Sequence, residues 1–152
     1  MRLWHYYMVH ALPDKQLVSQ WRELCSIAQR ISTIGYPNHI LVNKVMYYSA
    51  EELLSYAFKV SHEMDERGFA VKTATYDTFY NRIDQNRDKF KAKYGVGDGR
   101  YVWWHDMRYY MQCYYNLQEK RDCGGMSSDD WYRIYINAVS YGMKGMKGNS
   151  NG

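Results

Sequence analysis

Two stretches of this chain repeat apolar residues at the period of an α-helix and end on cap signals, and they constrain the fold more than any other feature. Over 49–67, Leu53, Ala57, Val60 and Met64 return every three or four residues, which puts them on one helical face. Ser49 and Glu52 form an S-x-x-E capping box ahead of that stripe, and Gly68 stands where a C-terminal cap belongs. Over 13–31, Leu17, Trp21, Leu24 and Ala28 make a second stripe, with Pro13 or Asp14 at its start. Gly35 and Pro37 break the chain beyond it. A third helix is expected over 105–121, and a fourth over 129–141, introduced by Ser127, Ser128 and Asp129. Residues 71–75 read as a short extended piece and 76–94 as a charged stretch, helical or irregular. The glycine-rich run 95–99 reads as a loop; it lacks the flanking strand and helix of a phosphate-binding glycine motif. The expectation is an all-α, single compact domain over 1–141 with about four main helices, then a flexible tail over 142–152 of Gly, Lys, Asn, Ser and Met.

At 152 residues the chain has the size of one domain and can bury a core without disulfides or metals. No apolar run approaches the roughly twenty residues of a membrane span, and no signal segment opens the chain, so neither a membrane nor a secreted protein is expected. The 20 Lys and Arg against 16 Asp and Glu give a net charge of +4, which permits a polyanionic partner without requiring one. Their distribution is uneven. Residues 1–48 carry five basic and two acidic side chains, 49–79 three and six, and 80–108 seven and four. The 17 Tyr, 5 Trp and 4 Phe are unusual and must fill much of the core. Tyr109, Tyr110, Tyr114 and Tyr115 read as an aromatic wall. The adjacent Trp103 and Trp104, beside Arg100, could stack on a base; the alternative is a split pair, one ring inward and one outward. Cys25, Cys113 and Cys123 show no paired metal spacing and read as reduced thiols of a cytoplasmic protein.

The usual hydrolytic sites are missing from the sequence. His5, His10, His39, His62 and His105 form no H-x-x-x-H pair, and there is no G-x-S-x-G elbow. A mechanism without metal or cofactor is left open. The first nitrogen is then of interest. A bulky second residue, Arg2, is expected to keep Met1 in place with its amine free. An α-amine titrates near pH 8, about two units below Lys, so a useful fraction is an uncharged nucleophile near neutrality. Amines attack aldehyde-like carbons to give imines, chemistry that asks for a nearby carboxylate and for cations to hold phosphate. Arg22 and Glu23, at the edge of the 13–31 stripe, offer both; a solvated surface pair is the alternative.

These residues also carry a resemblance. The run 12–17, Leu-Pro-Asp-Lys-Gln-Leu, followed by Gln20-Trp21-Arg22-Glu23-Leu24, resembles the first helix of the phage pyrimidine-dimer DNA glycosylase and abasic-site lyase family. The run 39–69, ending Glu66-Arg67-Gly68-Phe69, is similar to that family's second helix and its K-R-G-F turn. Asn116-Leu117-Gln118-Glu119-Lys120 resembles its R-L-D-E-K stretch, and Trp131-Tyr132-Arg133 its W-Y-K run. The opening Met1-Arg2-Leu3-Trp4-His5 is similar to the start of bacterial relatives. The patches are short but collinear, with 73–104 essentially unmatched.

The resemblance implies an all-α domain whose N-terminal segment passes between the long helices, and a monomer acting on damaged double-stranded DNA without cofactor or metal. It implies that the amine of Met1 attacks the sugar of a damaged nucleotide, with Glu23 as the essential carboxylate. Arg2 and Arg22 would bind flanking phosphates, and Lys120, Trp131, Tyr132 and Arg133 would touch DNA. His5 could lie at the site as a base contact or proton carrier, against the alternative of a packed histidine. The chain departs from the family pattern in opening with Met rather than Thr, and in holding Ser26 and Asn116 where the family has arginines. The basic residues Arg82, Arg87, Lys89, Lys91, Lys93, Arg100 and Arg108 could compensate, or form a solvated surface. A DNA-binding protein of the same fold without turnover, and an interaction protein, are the alternatives.

Overall fold

The computed structural model describes residues 1–149, and side chains as far as residue 142. Five α-helices follow an N-terminal segment: α1 (Asp14–Ile34), α2 (Ala50–Glu66), α3 (Thr73–Asp84), α4 (Met107–Asp122) and α5 (Ser128–Asn149). Short 3-10 turns occupy Tyr6–Ala11, Asn43–Tyr47 and Arg87–Lys89. Among the described residues the only β pairing is an isolated bridge between Tyr48 and Tyr94. The fold is all-α, as the sequence leads one to expect.

The helices form where the stripes predict them. Leu17, Trp21, Leu24 and Ala28 of α1 are buried, joined by Ile27 and Ile31, and Gly35 ends the helix in the left-handed conformation at φ +92°. In α2, Leu53, Ala57, Val60 and Met64 are buried. Its capping box is only half formed. Ser49 Oγ accepts the Glu52 amide at 3.3 Å, but the Glu52 carboxylate turns into the core and accepts the Tyr101 amide at 2.8 Å. Asp106 caps α4 by accepting from the Tyr109 amide at 2.8 Å, and Ser127 caps α5 by accepting from the Asp130 amide at 3.1 Å.

Three expectations are corrected or left aside. Residues 73–75 are the first turn of α3 rather than an extended piece. This fifth main helix lies in the charged stretch and packs on α1 through Phe79 and through Tyr76 stacked on Trp21, ring centres 6.0 Å apart. The tyrosines of α4 do not form one wall: Tyr110 is buried, Tyr109 and Tyr114 are half-buried and Tyr115 is exposed. The backbone of α5 continues over 142–149, most of the expected tail, and residues 150–152 lie outside the described residues. Among the described residues no helix is long and apolar enough to cross a membrane.

The N-terminal segment runs through the middle of this assembly. Leu3, Trp4, His5, Met8, Val9, Ala11 and Leu12 are all buried. The segment is extended as far as His5 and has no ladder partner, and its 3-10 turn bonds only part of the rest, so side chains must satisfy the remaining peptide groups. Tyr56 of α2 donates to the Trp4 carbonyl at 2.5 Å, and Tyr109 of α4 donates to that of Leu3. Asn137 of α5 donates to the Tyr7 carbonyl at 3.0 Å, and His105 Nδ1 accepts the Tyr6 amide at 3.0 Å. Arg67, just past α2, donates to the carbonyls of Leu12 at 2.6 Å and His10 at 2.9 Å, fastening the end of the segment where α1 begins.

His5 and His105 are packed side by side, ring centres 5.2 Å apart. Each Nδ1 accepts a backbone N–H, from Tyr7 and Tyr6 respectively, so each ring is neutral with its proton on Nε2. Burial lowers the His5 pKa to about 4 and pushes that of His105 well down. The unfolded chain, with His near 6.5, therefore binds more protons than the folded one below that pH, and acid favours unfolding. Stability should be full above pH 6.5 and fall as the pH drops towards about 4, by roughly 3 kcal/mol for His5 alone. Denaturant unfolding at pH 7 and pH 5 checks this; equal stabilities would show that these rings are not held neutral.

Candidate functional site

One face of α1 meets the start of the chain. Gln20 and Glu23 are three residues apart and so share a side of the helix. Gln20 is fully buried and acts as a two-sided clamp. Its Oε1 accepts the Trp4 amide at 2.7 Å and the Tyr56 hydroxyl at 3.0 Å, while its Nε2 donates to the Arg2 carbonyl at 2.9 Å. This fixes the register of the first residues along α1. Glu23 lies one turn further, and its Oε2 accepts the Arg2 amide at 3.2 Å. The carboxylate thus lies at the peptide unit that joins Met1 to Arg2.

Met1, Arg2 and Glu23 line an open cleft of about 340 Å³, with Lys15, Gln16 and Ser19 from α1 and Asn116 and Lys120 from α4. Trp4, almost fully buried, forms its base. The Arg2 guanidinium lies over the Trp4 ring at 5.1 Å and the Lys120 ammonium at 5.8 Å, a geometry in which the ring quadrupole attracts both cations. Arg2, Lys15 and Lys120 surround one acid, Glu23. A cleft so charged attracts anions and brings Met1, a carboxylate and three cations to one place. Among the described residues no cluster of His, Cys, Asp and Glu could hold a metal ion.

Met1, Arg2, Glu23 and Lys120, named from the sequence, are therefore brought together. Arg22 is exposed on α1 and does not line this cleft. His5 is buried, with Nε2 2.8 Å from the His105 carbonyl, so the packed-histidine alternative describes it. The run 131–133 lies on α5, away from the cleft lining. Trp131 packs on Tyr114 with Arg121 over its ring, Tyr132 is exposed, and Arg133 pairs with Asp130 at 2.8 Å. Of the basic residues between 82 and 108, Arg87 pairs with Glu51 and Asp84, and Arg100 with Asp98 at 2.5 Å.

Sequence reasoning missed Gln20 and Lys15. Gln20 did leave a signal, a polar residue inside the apolar stripe of α1, where an unpaired amide would be costly to bury. Lys15 is two helical turns before Glu23, so it shares the acid's face.

Residues 1–77, which hold the N-terminal segment, α1, α2 and the turn after it, match the family model described as pyrimidine dimer DNA glycosylase. The chain belongs to this family, whose substrate is DNA. No curated protein and no solved structure matches it significantly.

Replacing Gln20 by Leu should take from the Trp4 amide and the Arg2 carbonyl the partner that Gln20 gives them and destabilise the fold by roughly 2–3 kcal/mol. Urea unfolding of Gln20→Leu against the parent measures it; a loss under about 0.5 kcal/mol would mean that the clamp is not structural.

Proposed function

We propose that this chain is a DNA repair glycosylase with abasic-site lyase activity, acting on damaged double-stranded DNA through the α-amine of Met1. We take residues 1–141 as the domain that carries the activity. The observation that carries the reading is the hydrogen bond from the Arg2 amide to Glu23, which sets the acid beside the chain's first residue in a cation-lined cleft.

In this reading the amine's lone pair attacks C1′ of the damaged nucleotide, and the bond from C1′ to the base breaks. The base leaves with that electron pair and takes up a proton. The nitrogen gives up one proton, and its lone pair then breaks the C1′–O4′ bond; O4′ takes up a proton, the sugar ring opens, and a protonated imine joins the α-nitrogen to C1′. Removal of a C2′ proton then expels the 3′ phosphate by β-elimination, and water hydrolyses the imine. Glu23 stabilises the cationic imine and moves protons. Arg2 and Lys120 bind flanking phosphates in the cleft, Arg22 a phosphate beyond its edge, and Tyr132 and Arg133 contact DNA on α5. His5 acts from within the core, holding the segment that delivers Met1.

The alternative, a DNA-binding protein of the same fold without turnover, draws on Asn116, which leaves the cleft without a further cation where the family pattern has arginine. Borohydride treatment with an abasic-site duplex separates the two. The enzyme forms a covalent protein–DNA adduct that persists in EDTA; the binder is retained in a salt-sensitive way without adduct.

Acetylating the N-terminus should abolish the adduct, because an amide nitrogen is not nucleophilic. Undiminished trapping would move the chemistry to a lysine. Glu23→Gln should lower strand cleavage by about 100-fold or more while DNA affinity changes little, as expected for loss of a proton-transfer group. Cleavage at the parent rate would remove Glu23 from this role.

A further inference from the structure

Trp103 has a conformation and a setting that the fold does not need. Its backbone is in the left-handed region at φ +79°, which bulky residues avoid, and 79% of its surface is exposed while Trp104 beside it is buried. The neighbouring bonds impose this shape. Gly99, at φ +82°, passes so close to α2 that a Cβ would lie 2.7 Å from the Tyr56 nitrogen. The Tyr101 amide is held by Glu52, and the Val102 carbonyl accepts from Tyr48 at 2.6 Å. Both the Trp104 and His105 amides donate to the Tyr101 carbonyl, at 3.0 and 2.8 Å. A strained residue fixed from both sides and pointing its side chain into water is the pattern expected where strain serves binding.

The surroundings say what kind of ligand fits. Trp103 borders a groove of about 460 Å³ whose cations are Arg2, Lys44 and Arg108. Among the described residues neither Lys44 nor Arg108 has an ion-pair partner. The one acid there, Asp106, is committed to the α4 N-terminus through the Tyr109 amide. Arg2 also lines the Met1 and Glu23 cleft, so one side chain borders both grooves. An exposed indole framed by phosphate-sized cations suits a nucleotide. The ring stacks on the base, and the cations neutralise its backbone.

We propose that Trp103 is a stacking platform for a nucleobase displaced from the helix stack beside the lesion, with Lys44 and Arg108 holding the adjoining phosphates. This rests on the DNA-directed reading above. Every base has a π face, so such a platform reads the unstacked state rather than the sequence. It would let the enzyme dwell at distorted sites and pass over intact duplex.

The test uses the full chain with Trp103→Gly and Trp103→Phe. The probes are a duplex with a tetrahydrofuran abasic analogue, a pyrimidine-dimer duplex and the intact duplex. Trp103→Gly should bind both lesion duplexes roughly tenfold more weakly, bind intact duplex nearly as the parent does, and melt at a higher temperature because the backbone strain is relieved. Trp103→Phe should keep lesion affinity. Irradiation of lesion duplexes carrying 5-iodouracil beside the lesion should crosslink to residue 103. Parent-like lesion binding by Trp103→Gly, as expected if the exposed patch serves a protein partner, would overturn the platform, as would crosslinks that map elsewhere. The two readings fail separately. Absence of a borohydride adduct in the parent rejects the enzyme but not a Trp103-dependent lesion affinity. A normal adduct with unchanged Trp103→Gly binding rejects only the platform.

Discussion

The structure depends on satisfying the peptide groups of an extended segment buried among helices. A helix closes its own hydrogen bonds; the extended residues ahead of the 3-10 turn at Tyr6 do not, and burying those groups unpaired would cost more than the apolar burial of Leu3 and Trp4 returns. The protein answers with side chains drawn from almost every element: Gln20 from α1, Tyr56 from α2, Tyr109 from α4, Asn137 from α5 and His105 from the loop before α4. These groups give the core its aromatic and polar composition. Tyrosine supplies bulk and a hydroxyl from one residue, which suits a core that must be both filled and hydrogen-bonded.

The cleft follows from the same arrangement. Because Gln20 fixes the register of Arg2 and Trp4 along α1, the next turn of that helix sets Glu23 at the Arg2 amide. Trp4 lines the cleft, and two cations lie over its ring. The residues that would do chemistry are therefore held by groups that do none. Arg67 plays a similar part at the far end, tying the C-terminus of α2 to the segment and, through Asp14 at 3.0 Å, to the first turn of α1.

The loop ahead of α4 shows a second use of the buried polar groups. Glu52, a capping residue by its sequence position, is drawn inward to hold Tyr101, and Gly99 lets the loop press against α2. What this achieves locally is an outward Trp103 and an inward Trp104. His5 and His105 complete the packing beneath, neutral because each already accepts a backbone N–H.

Helical period, caps and the glycine stop made α1, α2, α4 and α5 legible, because each of those signals acts within a few residues. α3 was harder to read, since its stripe is short and sits among charges; packing against Trp21 decides it. For the site, Met1, Arg2, Glu23 and Lys120 were named from chemistry and resemblance, but nothing in their order shows that Lys120, nearly a hundred residues from Glu23, faces the same cleft. Which of Trp103 and Trp104 faces outward, and which of the two alternatives describes His5, belong to the same class. Sequence alone determined the helices and the supply of an amine, an acid and cations, because these are local properties of residue type and spacing. Which of them meet was decided by the tertiary structure, because only the demand to hydrogen-bond a buried N-terminal segment sets how α1, α2, α4 and α5 close around it.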